Sequence, residues 1–97
     1  MSGPEKKVEN QIKKYLDSLG AYYLKVHGSI YQPAGTPDVL VCVNGYFVAI
    51  EVKRPSGGVV SALQKSKLKR IEQAGGISIV ARSVDDVSTM LKQRNVI

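Results

Sequence analysis

The chain has 97 residues, enough for one compact domain, and 43% of them are hydrophobic, which suffices for a single core. Its one cysteine, Cys42, excludes an internal disulfide framework, and no apolar run approaches the roughly 20 residues that a membrane-spanning helix needs. The net charge of +6 favours a polyanionic partner such as nucleic acid, although it would equally suit a merely soluble surface. We expect a soluble cytoplasmic domain.

The first predicted element is a helix with an apolar stripe. Pro4 lies near its first helical position, in a stretch over residues 2–5 with capping-box spacing, and Gly20 suits its end. The stripe consists of Val8, Ile12, Tyr15, Leu16 and Leu19. A strand is predicted over 21–26, followed by a loop over 27–36 that is rich in Gly, Ser and Pro.

The next element is a hairpin, marked by Asn44-Gly45 between two apolar runs. Both positions of a type I′ turn need positive φ, which makes this pair a strong hairpin signal. The two strands, over about 38–43 and 46–53, are apolar at nearly every position, which predicts burial on both faces. Cys42, inside the first strand, is then expected to be a small core residue.

The remaining elements alternate between helix and strand. A second helix is predicted from an N-cap at Ser61 to about Ala74, then a strand over 77–81 and a third helix capped by Ser83. The third helix would bury Val84, Val87, Met90 and Leu91. The order α-β-β-β-α-β-α, with the last strand parallel to one of the others, predicts an α/β fold with a central mixed sheet flanked by helices.

The hairpin register sets two acids opposite each other at its open end. Counting back from the turn, Asp38 faces Glu51 with Cβ atoms about 4.5–5.5 Å apart, and Lys53 projects from the same face. Like charges in this position are destabilising unless one is protonated, a cation is supplied or a bulge separates them. Because a hard divalent ion prefers oxygen ligands, the group indicates a metal site awaiting a phosphate. The alternative is a surface triad of solvated charges.

Two more side chains are candidates for this site. Glu9 lies beside the stripe of the first helix, so it either approaches the two acids or forms an exposed pair with Lys13. Gln64 lies on the stripe of the second helix, where it closes a capping box with Ser61 or supplies an amide at the edge of the site.

Basic residues crowd the second helix and the end of the hairpin. Such a run is usually a solvated face, but beside an acidic metal site it could bind a phosphate backbone. The candidates are Lys65, Lys67, Lys69, Arg70 and Arg54. Tyr31 could stack on a base or anchor its loop, and His27 could be a general base, a DNA contact or the polar end of a strand. The sequence leaves both open.

Several of these residues together resemble the VRR-NUC family of nucleases, part of the PD-(D/E)xK superfamily that includes many restriction enzymes and the archaeal Holliday junction resolvases. The pattern is Gly35-Thr36-Pro37-Asp38, Glu51-Val52-Lys53 and Gln64. The resemblance extends from Glu9 to the third helix. It implies a restriction-endonuclease-like fold and Mg²⁺-dependent hydrolysis of DNA phosphodiesters, with Mn²⁺ able to substitute.

The resemblance also implies roles for individual residues. The catalytic set would be Glu9, Asp38, Glu51, Lys53 and Gln64. Asp38 and Glu51 would bind the metal together with the backbone carbonyl of Val52, and Glu9 would complete the site. Lys53 would orient or activate the attacking water and stabilise the developing negative charge.

Small stand-alone members of the family, found in phages and bacteria, are expected to act as homodimers on branched DNA, including four-way junctions. The resemblance therefore implies a structure-selective endodeoxyribonuclease in a bacterial or phage-infected cell. A second hypothesis is a non-catalytic basic module that binds nucleic acid while lysine neutralises the acids. A third is an antitoxin-like or scaffold protein with a protein partner.

Overall fold

The computed structural model describes residues 3–28 and 33–97, and its elements follow the predicted order. They are α1 (Gly3–Ser18), β1 (Tyr22–Lys25), β2 (Val39–Val43), β3 (Tyr46–Val52), α2 (Ala62–Gln73), β4 (Ile77–Ala81) and α3 (Val84–Gln93). The strands form one mixed sheet in the order β1-β2-β3-β4, in which the β3–β4 pair alone is parallel. The predicted α/β fold is confirmed. Ser2, expected to cap α1, and Tyr31 lie outside the described residues.

The hairpin turn has the predicted conformation. Asn44 (φ 50°) and Gly45 (φ 84°) both adopt positive φ, and Val43 pairs with Tyr46 across the turn. The Asn44 side-chain amide also donates a 2.7 Å hydrogen bond to the carbonyl oxygen of Val96, which ties the turn to the end of the chain. The turn chemistry therefore sets the register of the β2–β3 ladder.

One face of the sheet carries the hydrophobic core, covered by α1 and α3. Every second residue of β2, β3 and β4 contributes to it, because successive strand residues point to opposite faces. Its buried side chains include Val8, Ile12, Leu16, Val39, Val41, Val48, Ile50, Ile77, Ile79, Val87 and Leu91. Burial of each large aliphatic side chain stabilises the fold by about 1.5–3 kcal/mol. This core anchors the strands whose ends carry the candidate site.

The opposite face of the sheet is only partly covered, because α2 packs over β4 and leaves β1 and β2 open. Cys42 is exposed, and so are its neighbours across the sheet, Tyr22 and Phe47. The predictions of a core cysteine and of a hairpin buried on both faces are therefore wrong. A single helix about 10–12 Å wide cannot cover four strands spaced about 4.8 Å apart.

Among the described helices, none is long and apolar enough to cross a membrane.

Candidate active site

The candidate site lies at the end of the hairpin opposite the turn. The β2–β3 ladder ends where Val39 pairs with Ile50, one pair before the two acids. Asp38 precedes β2 in a bend, and its Oδ2 accepts a 2.7 Å hydrogen bond from the backbone N–H of Val52. Asp38 and Glu51 thus lie at the same end of the sheet. The Asp38 side chain is held by the backbone of β3, and its carbonyl oxygen accepts a 2.7 Å hydrogen bond from the Val26 N–H.

Glu51 is a buried carboxylate with too few partners. Its Oε2 accepts a 3.1 Å hydrogen bond from Gln64 and lies 3.7 Å from the Lys53 ammonium group. Its Oε1 is buried and has no hydrogen-bond partner among the described residues. Burial, and next the charge of Asp38, raise the pKa of Glu51 from 4.5 to about 8. A cation bound at Oε1 would offset both effects.

The Gln64 side chain has two partners at once. Its Oε1 accepts a 2.9 Å hydrogen bond from the Ser61 N–H, while the Ser61 hydroxyl accepts one of 3.1 Å from the Gln64 N–H. These bonds form the predicted capping box, and the amide also lies at the edge of the site. Because the Ser61 N–H needs an acceptor, the amide oxygen faces Ser61 and the NH₂ group faces Glu51.

Glu9 is fully buried and surrounded by three lysines. Its Oε2 lies 2.8 Å from Lys13 Nζ and 3.2 Å from Lys6 Nζ, and its Oε1 lies 2.7 Å from Lys25 Nζ. Burial alone would raise the pKa of Glu9, but the ammonium groups outweigh it and lower the pKa to about 2. The pair with Lys13, one of the two alternatives, is formed, but the Glu9 carboxylate is buried and not exposed. Lys25 also lies 3.9 Å from Asp38 Oδ1, so it links Glu9 to the site.

Lys25 is a site residue that the sequence pattern did not mark. It ends β1 and pairs with Val39. That register could not be derived, because no tight turn joins β1 to β2. In the part of the chain that the structure describes, no three His, Cys, Asp or Glu side chains form a metal-binding group. The acids that approach each other are therefore Asp38 and Glu51, with Glu9 linked to them through a lysine.

Arg82 was also missed, although it fixes the loop that follows Lys53. Its Nη1 donates to the carbonyl oxygens of Arg54 (3.0 Å) and Gly57, and its Nη2 donates to that of Gly58 (2.8 Å). Both glycines have positive φ, which lets the loop turn back on the guanidinium group. One arginine therefore holds three carbonyl groups beside the site.

The predicted basic residues lie on the surface of the described chain. Lys65, Lys69, Arg70 and Arg54 are exposed, and Lys67 is half-buried on α2. His27 is exposed after β1. Because α2 packs on the sheet face that carries Glu51, most of these cations lie on the α2 side of the acids.

Comparison with known proteins identifies the fold. No model of a protein family matches the sequence, and no curated protein matches it. A solved structure named "VRR_NUC domain" has a TM-score of 0.78, covers 94% of this chain and 97% of its own, and is 24% identical. Another, named "VRR_NUC domain protein", has a TM-score of 0.74, covers 96% of this chain and 88% of its own, and is 18% identical. The chain therefore has the VRR-NUC fold that its motifs predicted.

Proposed function

We propose that the chain is a metal-dependent endonuclease that hydrolyses DNA phosphodiesters. The observation that carries this proposal is the unpartnered buried oxygen of Glu51 beside Asp38, in a fold shared with VRR_NUC proteins. A buried charge is costly unless it is protonated or paired with a cation. Mg²⁺ is typically held by one or two carboxylates together with phosphate and waters, so this pair of acids fits it.

Each residue of the site has a role that its contacts support. Asp38, Glu51 and the Val52 carbonyl would hold Mg²⁺ or Mn²⁺, which when bound polarises the phosphate and lowers the pKa of a water. Gln64 fixes the orientation of Glu51 by donating to its Oε2. Lys53, whose ammonium group is 3.7 Å from that oxygen, orients the attacking water and stabilises the charge developing on the phosphate.

Glu9 belongs to the proposed catalytic set as the acid that completes it. Lys25 contacts both Glu9 and Asp38, which supports a role for Glu9 near the proposed metal ligands. Both oxygens of Glu9 bind lysines, so a ligand role requires Lys25 to release Oε1.

The proposed substrate is branched DNA such as a Holliday junction, cut by a homodimer. The residues proposed to contact DNA are Lys65, Lys67, Lys69, Arg54 and Tyr31. The net charge of +6 supports binding to phosphates, and a two-fold dimer would double the basic area and present two sites.

A cleavage assay tests the proposed function. Wild-type protein is expected to cut labelled junction, flap, fork or linear DNA with Mg²⁺ or Mn²⁺, and to leave it intact with EDTA. Asp38→Ala, Glu51→Ala and Lys53→Ala should each reduce the cleavage rate by at least about 100-fold while DNA binding persists. Lys92→Gln, which removes an exposed charge on α3, is the control that should cleave normally. Full Mg²⁺-dependent activity of the Asp38→Ala protein would refute the site.

The second candidate function is a non-catalytic nucleic-acid-binding module. Two cations already lie beside the acids, with Lys25 at 3.9 Å from Asp38 and Lys53 at 3.7 Å from Glu51. If these lysines replace the metal, the same assay will show tight DNA binding and no product with any divalent ion.

A further inference from the structure

The lysines around Glu9 carry more positive charge than one carboxylate can neutralise. Lys6, Lys13 and Lys25 all contact Glu9, and Lys25 also lies 3.9 Å from Asp38. Three ammonium groups therefore face two carboxylates, which leaves one positive charge in excess. Lys6 Nζ and Lys13 Nζ both contact Glu9 Oε2, at 3.2 Å and 2.8 Å. The two nitrogens therefore lie no farther apart than the sum of these distances. Like charges at this range repel each other, and an anion from outside would relieve the repulsion.

The cluster is held in place and is open to solvent. The Glu9 carboxylate is fully buried, because the side chain lies beside the stripe of Val8 and Ile12, which packs into the core. The Lys6 side chain is 48% exposed and that of Lys13 is 25% exposed, so both reach the surface. An ammonium group has three donors, and Glu9 does not use all of them. The buried acid therefore orients ammonium groups that still have donors for a ligand.

We propose that Lys6, Lys13 and Lys25 form a phosphate-binding site for the DNA backbone on the α1 side of the candidate active site. The inference rests on the proposed function, since the ligand is a phosphodiester of the DNA substrate. Lys25 lies 3.9 Å from Asp38, so the cluster begins next to the proposed metal ligands.

This site lies across the sheet from the basic residues that the sequence marked. α1 packs on the core face of the sheet, whereas α2, with its lysines, packs on the face that carries Glu51. Cations on both sides of the acid pair would hold the strand on both sides of the phosphate that is cut. The geometry thus adds a second backbone contact to that of α2.

Binding of a labelled DNA duplex in EDTA, measured over a series of salt concentrations, tests this inference. The Lys6→Gln/Lys13→Gln double variant keeps amide donors for Glu9 and removes two charges. It should weaken binding at low salt by about 10-fold or more and reduce the slope of log K against log salt by about 1–2. The Lys6→Arg/Lys13→Arg variant, which keeps both charges, should retain the wild-type slope.

The matched control is Lys7→Gln/Lys14→Gln, which removes two exposed charges from the same helix without touching the Glu9 contacts. Equal losses in the two double variants would overturn the proposal, because they would show only a diffuse charge effect. Inorganic phosphate that displaces DNA equally from the wild type and from Lys6→Gln/Lys13→Gln would also overturn the proposal, because phosphate would then not compete at these lysines. If the double variant unfolds, Lys6→Gln alone should still lower the slope by about 1.

Because the assay contains no divalent ion, it does not depend on catalysis. A wild-type protein that never cleaves DNA would refute the proposed function and leave this comparison intact. A protein that cleaves normally while Lys6→Gln/Lys13→Gln binds like the wild type would refute the lysine site alone.

Discussion

At the scale of single residues, two buried glutamates show how partners decide the charge of the same side chain. Glu9 lies among three lysines and has its pKa lowered to about 2, whereas Glu51 lies beside another acid and has its pKa raised to about 8. Burial raises the pKa in both cases, so the opposite directions of the two shifts come from the neighbouring charges. The sequence identified both acids, but the lysines of Glu9 depend on the position of β1 beside β2.

The raised pKa of Glu51 predicts a pH-dependent stability of the metal-free protein. The folded chain holds this proton more tightly than the unfolded chain, so the contribution of Glu51 to stability is greatest below about pH 4.5. This contribution should fall as pH rises from about 4.5 through about 8, by an amount on the order of 5 kcal/mol. Urea unfolding in EDTA between pH 5 and pH 9 measures the effect, with Glu51→Gln as the control.

The difference between the wild type and Glu51→Gln isolates this carboxyl from all other titrating groups. Wild-type stability relative to the variant should decrease with rising pH, and Mg²⁺ should reverse the trend, because metal binding needs the ionised acid. A pH-independent difference in EDTA would show that Glu51 titrates normally.

At the scale of elements, local signals fixed most of the fold and only part of the site. Turn and cap residues act over a few positions, so Asn44-Gly45 set the β2–β3 register and Ser61 and Ser83 marked two helix starts. Two features depend on tertiary packing, which the sequence could not reveal. One is how far α2 extends over the sheet, which determines the exposure of Cys42. The other is the set of loop contacts that Arg82 makes.

The Gln64 amide hydrogen-bonds both the Ser61 N–H and Glu51, which predicts that the stability of α2 and the cleavage rate can be perturbed separately. Ser61→Ala removes a cap, so it should destabilise the protein by about 1 kcal/mol. Gln64→Glu keeps an acceptor for the Ser61 N–H but sets another carboxylate against Glu51. It should therefore slow Mg²⁺-dependent cleavage more than Ser61→Ala does. Thermal unfolding and cleavage rates measured on the same samples give both effects.

The matched control for the cap is Ser83→Ala on α3, whose hydroxyl accepts a hydrogen bond from the Asp86 N–H. It should cost similar stability and leave cleavage unchanged. Cleavage by Gln64→Glu at the wild-type rate would mean that the amide serves only the capping box.

At the scale of the whole molecule, an exposed apolar surface and the cations around the acid pair both fit the proposed homodimer on DNA. Tyr22, Leu24 and Phe47 leave apolar surface exposed on the α2 side of the sheet. Monomeric proteins rarely expose large contiguous apolar patches, so a surface of this kind is one that the proposed homodimer could cover. The cations on both sides of Asp38 and Glu51 would give each subunit of the proposed dimer a surface for the phosphate backbone.

The central claim is that Asp38 and Glu51 bind one divalent cation, and a crystal of the protein soaked in Mn²⁺ tests it most directly. An anomalous difference map is expected to show a peak in contact with carboxylate oxygens of both residues, with Lys25 and Lys53 moved away from it. No peak between these oxygens, with both ammonium groups still beside the acids, would contradict the claim.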